Sequence, residues 1–155
     1  MDQIRLNIPD LPYKNVLWEN KDNVADEGRA TAFESQNVKY LRAGYTAENT
    51  KYKQSFPNTY NFINFSKTLF DRCTVALMRQ APGQVLPEHV DTFYMFAKNN
   101  NVDPDGCIRV NIFLEDWQSD AVIIEKNEPH LSSNSGMSPK YTMQITGVKN
   151  EFKRR

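Results

Sequence analysis

From Cys73 to Gly147 the chain is a succession of short strand-forming runs separated by turn signals, with no helical period between them. "CTVALMRQ" (73–80) is closed by "APGQ", where Pro82 and Gly83 mark a turn. "VLPEHVDTFYMF" (85–96) is rich in β-branched and aromatic residues, and "AKNNNVDPDG" after it reads as a polar loop broken by Pro104 and Gly106. "CIRVNIFLEDW" alternates most strictly. It sets Val110, Ile112 and Leu114 on one side and Arg109, Asn111 and Phe113 on the other. "DAVIIE" and "YTMQITG" supply two further strands. Consecutive short strands of this kind bury their apolar faces by folding antiparallel into a sandwich or barrel.

The first seventy-two residues are more polar and mixed. "NIPDLPYKN", with two prolines, predicts an extended lead-in, and "VADEGRATAFESQ" carries helix formers interrupted by Gly28. "NFSKTLFDR" places Phe65, Leu69 and Phe70 on one helical face, with Ser66 available as a cap. The expectation is a mainly β domain spanning 1–155, in which N-terminal helices (1–72) pack on and support a core at 73–147. A chain of 155 residues buries such a core without disulfides or a structural metal. Cys73 and Cys107 lack CxxC spacing and read as buried thiols. The closing "KNEFKRR" predicts a solvated, fraying end.

Charge excludes some partners. Nineteen basic residues balance nineteen acidic ones, so neither duplex nucleic acid nor an anionic membrane is selected by bulk electrostatics. No apolar run approaches the roughly 18 to 20 residues of a membrane span. The start, "MDQIRLNIPDLPYKN", lacks the basic end and apolar stretch of a signal peptide, which predicts a soluble, cytoplasmic protein.

The chain has two histidines, His89 in "HVD" and His130 in "EPHLSS". On an extended strand His89 and Asp91, two apart, project to the same side. Two imidazoles and one carboxylate on one face of a metal leave the opposite face open, which is the ligand set of mononuclear non-haem iron(II) oxygenases. A bare HxD is also compatible with an ordinary core or surface histidine. The order of the surrounding motifs decides between the two.

That order is a strand ending in "APG", then "HVD", then "RVNIFLEDW", then "PH", then a positive residue ten positions after the histidine, in "PKYTMQITG". Over Cys73 to Gly147 the sequence resembles the 2-oxoglutarate and iron(II)-dependent oxygenases, specifically their prolyl 4-hydroxylase-like branch. The resemblance implies a double-stranded β-helix, or jelly roll. It implies His89, Asp91 and His130 as iron ligands, Lys140 as the cation that pairs with the distal carboxylate of 2-oxoglutarate, and Thr142 as a hydroxyl assisting it. The implied cofactors are Fe(II), 2-oxoglutarate and O2, with ascorbate as an optional reductant. A dicarboxylate held in a narrow barrel requires such a cation and donors at its buried end. Arg79 and Arg109 each share a strand face that could be the interior, and Tyr94 lies just past the HxD. All three are candidate contacts to substrate or cosubstrate.

The implied reaction is hydroxylation of a C–H bond, first of a prolyl residue in a peptide or protein. Two other readings stand beside it: hydroxylation of a free amino acid or other small molecule, and a non-catalytic jelly-roll binding module. The sequence departs from the family in two places. Only 41 positions separate His89 from His130. That interval reads as a segment missing between Ser119 and Asp120, the other reading being a sheet with fewer strands. The tyrosine that relatives often place on the first or fourth core strand is also absent, with Ala81 and Phe113 near those positions.

Overall fold

The computed structural model describes residues 1–22, 42–44, 51–115 and 120–154. Among these residues the strands are β1 (Asp2–Arg5), β2 (Glu19–Asp22), β3 (Lys51–Ser55), β4 (Cys73–Gln80), β5 (Val85–His89), β6 (Cys107–Phe113), β7 (Asp120–Glu125), β8 (His130–Ser133) and β9 (Lys140–Val148). The helices are α1 (Tyr60–Leu69) and α2 (Tyr94–Asn100). The larger sheet runs β1-β7-β6-β9-β4-β3-β2, and β5 and β8 form the smaller one. From β4 the chain crosses to the small sheet at β5, returns for β6 and β7, crosses again at β8 and returns at β9. This winding is the double-stranded β-helix that the sequence implied.

The alternation read in "CIRVNIF" sorts two environments. Ile108, Val110 and Ile112 join Leu77, Met143 and Ile145 in a core covered by α1, through Phe62, Phe65 and Leu69. Residues on the opposite side of the same strands face the small sheet. They are Gln80 of β4, Arg109, Asn111 and Phe113 of β6, and Lys140, Thr142, Gln144 and Thr146 of β9, all linked by the cross-strand register. One side of the sheet therefore carries the stability and the other the polar groups.

Several expectations are corrected. The helix near Ser66 begins earlier, at Tyr60, so Ser66 is an interior residue that donates from its hydroxyl to the Ile63 carbonyl (2.8 Å). The N-terminal part contributes strands as well as α1: β1 pairs with β7 at one edge, and β2 and β3 extend the other beyond β4. The "VADEGRATAFESQ" segment lies outside the described residues. "YMFAKNN" is helix α2 rather than strand and loop. Phe93 turns the chain with a left-handed φ of 54°, Phe96 and Ala97 bury one face of α2 beside Cys107 and Val148, and left-handed Asn101 (φ 52°) ends it.

The C-terminal end is anchored. Phe152 stacks on Phe70 at 5.1 Å between ring centroids, Arg72 pairs with Glu151 at 2.7 Å, and Lys153 donates its backbone N–H to the Leu69 carbonyl. Gly147 lets Phe70 sit there, because a Cβ at that position would overlap the Phe70 ring.

No segment is missing between β6 and β7. Ser119 is followed directly by Asp120, and the two strands pair as antiparallel neighbours from Ile108 opposite Glu125 to Ile112 opposite Ala121. Neighbours of this kind need only a short connection. The short interval between the histidines therefore reflects a smaller sheet, two-stranded among the described residues.

Both cysteines are free. Cys107 is buried and Cys73 half-buried, and burial pushes both thiols up. Among the described residues no helix is long and apolar enough to cross a membrane.

Candidate metal centre

His89 closes β5 and stands directly opposite His130, the first residue of β8, with ring centroids 4.2 Å apart. A bulge between Leu86 and His89 shifts the pairing by one residue just before this contact. Asp91 is not on the strand, as the period-two argument assumed, but two residues along in the segment that leaves it. Its carbonyl accepts from the Asn127 N–H at 3.0 Å, which ties this segment to the turn before β8. Its carboxylate reaches the same place as the imidazoles, with Oδ1 4.0 Å from His89 Nε2 and Oδ2 3.5 Å from His130 Nε2.

One ligand atom from each of the three residues lies within 4.8 Å of the others. Donors each about 2.1 Å from a shared ion stand on the order of 3 to 4 Å apart, so the three residues fit a single metal with small movements. His130 Nδ1 lies 2.8 Å from the Glu128 carbonyl. A carbonyl only accepts, so Nδ1 carries the proton and the Nε2 lone pair is left for a metal. Asp91 and His130 are buried, at 9% and 8% exposure. The sequence reading thus named three residues that do converge and could hold an ion.

Arg109 shares this site. Its Nη1 donates to Asp91 Oδ2 at 2.8 Å and its Nε donates to Thr146 Oγ1 at 3.2 Å, while the guanidinium lies 5.7 Å from the centroid of the Phe93 ring. The carboxylate beside this arginine is thus one of the protein's own.

Lys140 occupies the other end of the same interior. Its Nζ donates to Ser132 Oγ (3.2 Å) and the Ser133 carbonyl (3.1 Å), and it sits 5.2 Å from the centroid of the Phe113 ring. Burial pushes the ammonium pKa down, and no carboxylate among the described residues offsets it. Ser132 is two residues beyond His130 on the same face of β8, about 7 Å along the strand. The Gln80 side chain locks that serine by exchanging two bonds with it, accepting at Oε1 from the hydroxyl (2.8 Å) and donating from Nε2 to the carbonyl (3.1 Å).

Thr142 follows Lys140 on the same face and is buried, and its Oγ1 has no hydrogen-bond partner; nor does Oδ1 of Asn111. Phe113 is opposite Thr142 and Asn111 is opposite Gln144, so the two orphaned atoms come from diagonal neighbours on the interior face. Buried polar atoms left unpaired are costly, and a polar ligand bonded to them would remove that cost.

Two candidates remain, Arg79 and Tyr94. Arg79 is turned out of the barrel, onto the face of Leu77, where its Nε donates to the Tyr141 hydroxyl at 3.3 Å. Strand parity puts Gln80 inside instead. Tyr94 opens α2 and is 60% exposed. The sequence reading passed over Gln80, Ser132 and Phe93. A usable signal existed for Gln80, which lies opposite Lys140 in the β4–β9 register.

No protein-family model matches the chain, and no curated protein matches it. Among solved structures it is similar to a predicted oxalate decarboxylase from Thermotoga maritima, at 11% identity and a TM-score of 0.48, over 87% of this chain and 95% of that one. It is also similar to the TT1209 protein of Thermus thermophilus, at 20% identity and a TM-score of 0.35, over 50% of this chain and 73% of that one. Neither likeness bears on the chemistry, which rests on the side chains described above.

Proposed function

We propose that the protein is an iron(II)- and 2-oxoglutarate-dependent dioxygenase that hydroxylates a C–H bond of a prolyl residue in a peptide. The observation that carries this reading is a partly buried ammonium, Lys140, with no carboxylate partner among the described residues, in the same interior as a converging His89, Asp91 and His130. Bound there, iron(II) with 2-oxoglutarate and dioxygen would supply the oxidation, one oxygen atom going to the hydroxyl of the product and the other to succinate, with release of carbon dioxide.

The chain's own residues do the rest. His89, Asp91 and His130 would hold the ion, a three-residue set that would leave room for the cosubstrate and dioxygen. Lys140 gives the far carboxylate of the cosubstrate the charge partner that burial otherwise denies it. Lysine acts there as a point charge, and the hydroxyl of Thr142 offers the direction that a point charge lacks. The separation of about two strand residues between His130 and Ser132 suits a five-carbon dicarboxylate. Arg109 fixes the rotation of the Asp91 carboxylate, and Phe113 beside the ammonium shields it from water.

The test is incubation with iron(II), ascorbate and 2-oxoglutarate, followed by measurement of succinate, first alone and then with proline-containing peptides analysed for a gain of one oxygen. Succinate is expected even without peptide. Its absence, together with failure to bind 2-oxoglutarate, would overturn the reading in favour of a binding module.

A further inference from the structure

Among the described residues β8 is paired on one edge only, by β5. The direction of its backbone groups follows from the hydrogen bonds at its end. Asn134 donates its N–H to the Gln84 carbonyl at 2.9 Å, continuing the register in which Ser133 faces Val85 and Ser132 faces Leu86. Backbone groups alternate along an antiparallel strand. Asn134, Ser132 and His130 therefore turn their N–H and C=O toward β5, and Ser133 and Leu131 turn theirs toward the open edge, where the Ser133 carbonyl already accepts from Lys140 Nζ at 3.1 Å. Both of the latter are exposed, Leu131 at 52%. Side chains alternate in the other plane, so the strand that offers these groups also points His130 and Ser132 into the interior.

We propose that this edge takes an extended peptide in antiparallel pairing, and that the peptide residue lying opposite His130 is the prolyl residue to be modified. The neighbour before it pairs with Leu131, and the residue two positions further back accepts from the Ser133 N–H. The residue opposite His130 falls between these bonded positions. Its side chain is directed inward, with its Cβ about 4.5 to 5.5 Å from that of the metal ligand. Its own nitrogen points away from β8. A strand position whose N–H makes no ladder bond is the one place where proline forfeits nothing. The residue preceding proline favours the extended conformation that pairing requires. Main-chain bonds thus supply affinity while one position supplies selectivity.

A second copy of this chain is the weaker occupant, because the four residues of β8 bury little of the roughly 1,200 Å² or more that a stable interface needs. The identity of the modified residue rests on the dioxygenase reading above; the pairing itself does not.

The experiment uses the full chain and a fluorescent peptide with one proline among β-branched residues, compared with versions carrying a single backbone N-methyl group. Methylation of the residue before the proline removes the ladder donor to the Leu131 carbonyl and is expected to weaken binding about tenfold. Methylation of the second residue before it, opposite Ser132, is expected to change affinity by less than about twofold, since that N–H points outward. Loss that is equal at every position, or no peptide binding at all, would overturn the proposal. So would a concentration-dependent dimer that the peptide does not dissociate. Succinate release without the alternating pattern overturns the pairing alone, and the pattern without succinate overturns the dioxygenase reading alone.

Discussion

Arg109 donates from Nη1 to Asp91 Oδ2 across 2.8 Å, with the carboxylate 10% and the arginine side chain 24% exposed. The bond fixes which way the Asp91 carboxylate turns, and outer partners of metal ligands commonly matter 10- to 100-fold, so Arg109→Gln is expected to weaken metal affinity by about that factor. Calorimetric titration with manganese(II), which needs no catalysis, measures it. Unchanged affinity would show that Asp91 needs no such support.

Lys140→Ala is expected to abolish 2-oxoglutarate binding while leaving metal affinity within about twofold, because the ammonium contacts Ser132 and Ser133 rather than a metal ligand. Fluorescence or calorimetric titration with each ligand separates the two effects. Equal loss of both would point to a collapsed interior instead.

The burial of Lys140 also sets a pH dependence. Its folded pKa lies below the ordinary lysine value of 10.5, so between the two values the unfolded chain binds more protons than the folded one. Stability contributed by this group therefore rises as pH increases through that window. Lys140→Met is expected to flatten the rise in urea midpoints measured across the alkaline range. Affinity for 2-oxoglutarate runs the other way, falling as the ammonium loses its proton.

Gly147→Ala places a methyl group into the ring of Phe70, which is itself held by Phe152. Such overpacking costs about 1 to 3 kcal/mol, read as a lower midpoint in urea at unchanged slope. Combining it with Phe70→Leu should recover part of the loss. A wild-type midpoint for the single variant would mean that the ring moves freely.

How much of this was legible depends on where the information lies. The strict alternation of residues 108–113 reappears as buried and part-buried residues in the same order, because each strand face carries its own hydrophobic signal. The three metal-ligating candidates and Lys140 were legible through their order in the chain. What alternation cannot say is which polar face is the interior: Arg79 and Arg109 looked equivalent until strand pairing turned one onto Tyr141 and the other toward Asp91. "HLSS" carries little strand propensity and is a strand because β5 pairs with it. The helix α2 was hidden because aromatic residues favour strands in general, whereas here one of them, Phe93, takes the left-handed turn that starts a helix. The C-terminal end looked free because its anchors, Phe70 and Arg72, stand about eighty residues away.

The irregularity in β5 decides which way the first imidazole faces. Leu86 stands across from the inward Ser132, and His89 is three positions later. On an unbroken pleat an odd step lands on the opposite side, so the imidazole would hang in solvent. The supernumerary residue restores the parity. Pro87 falls within that interval and has no N–H to give a ladder, which makes a bulge the natural place for it. Spacing along the chain and orientation in space are therefore uncoupled here. A chain one residue shorter between Leu86 and His89 would step evenly to the same partner and keep its histidine inward, whereas ironing the bulge flat at full length would expel the ligand.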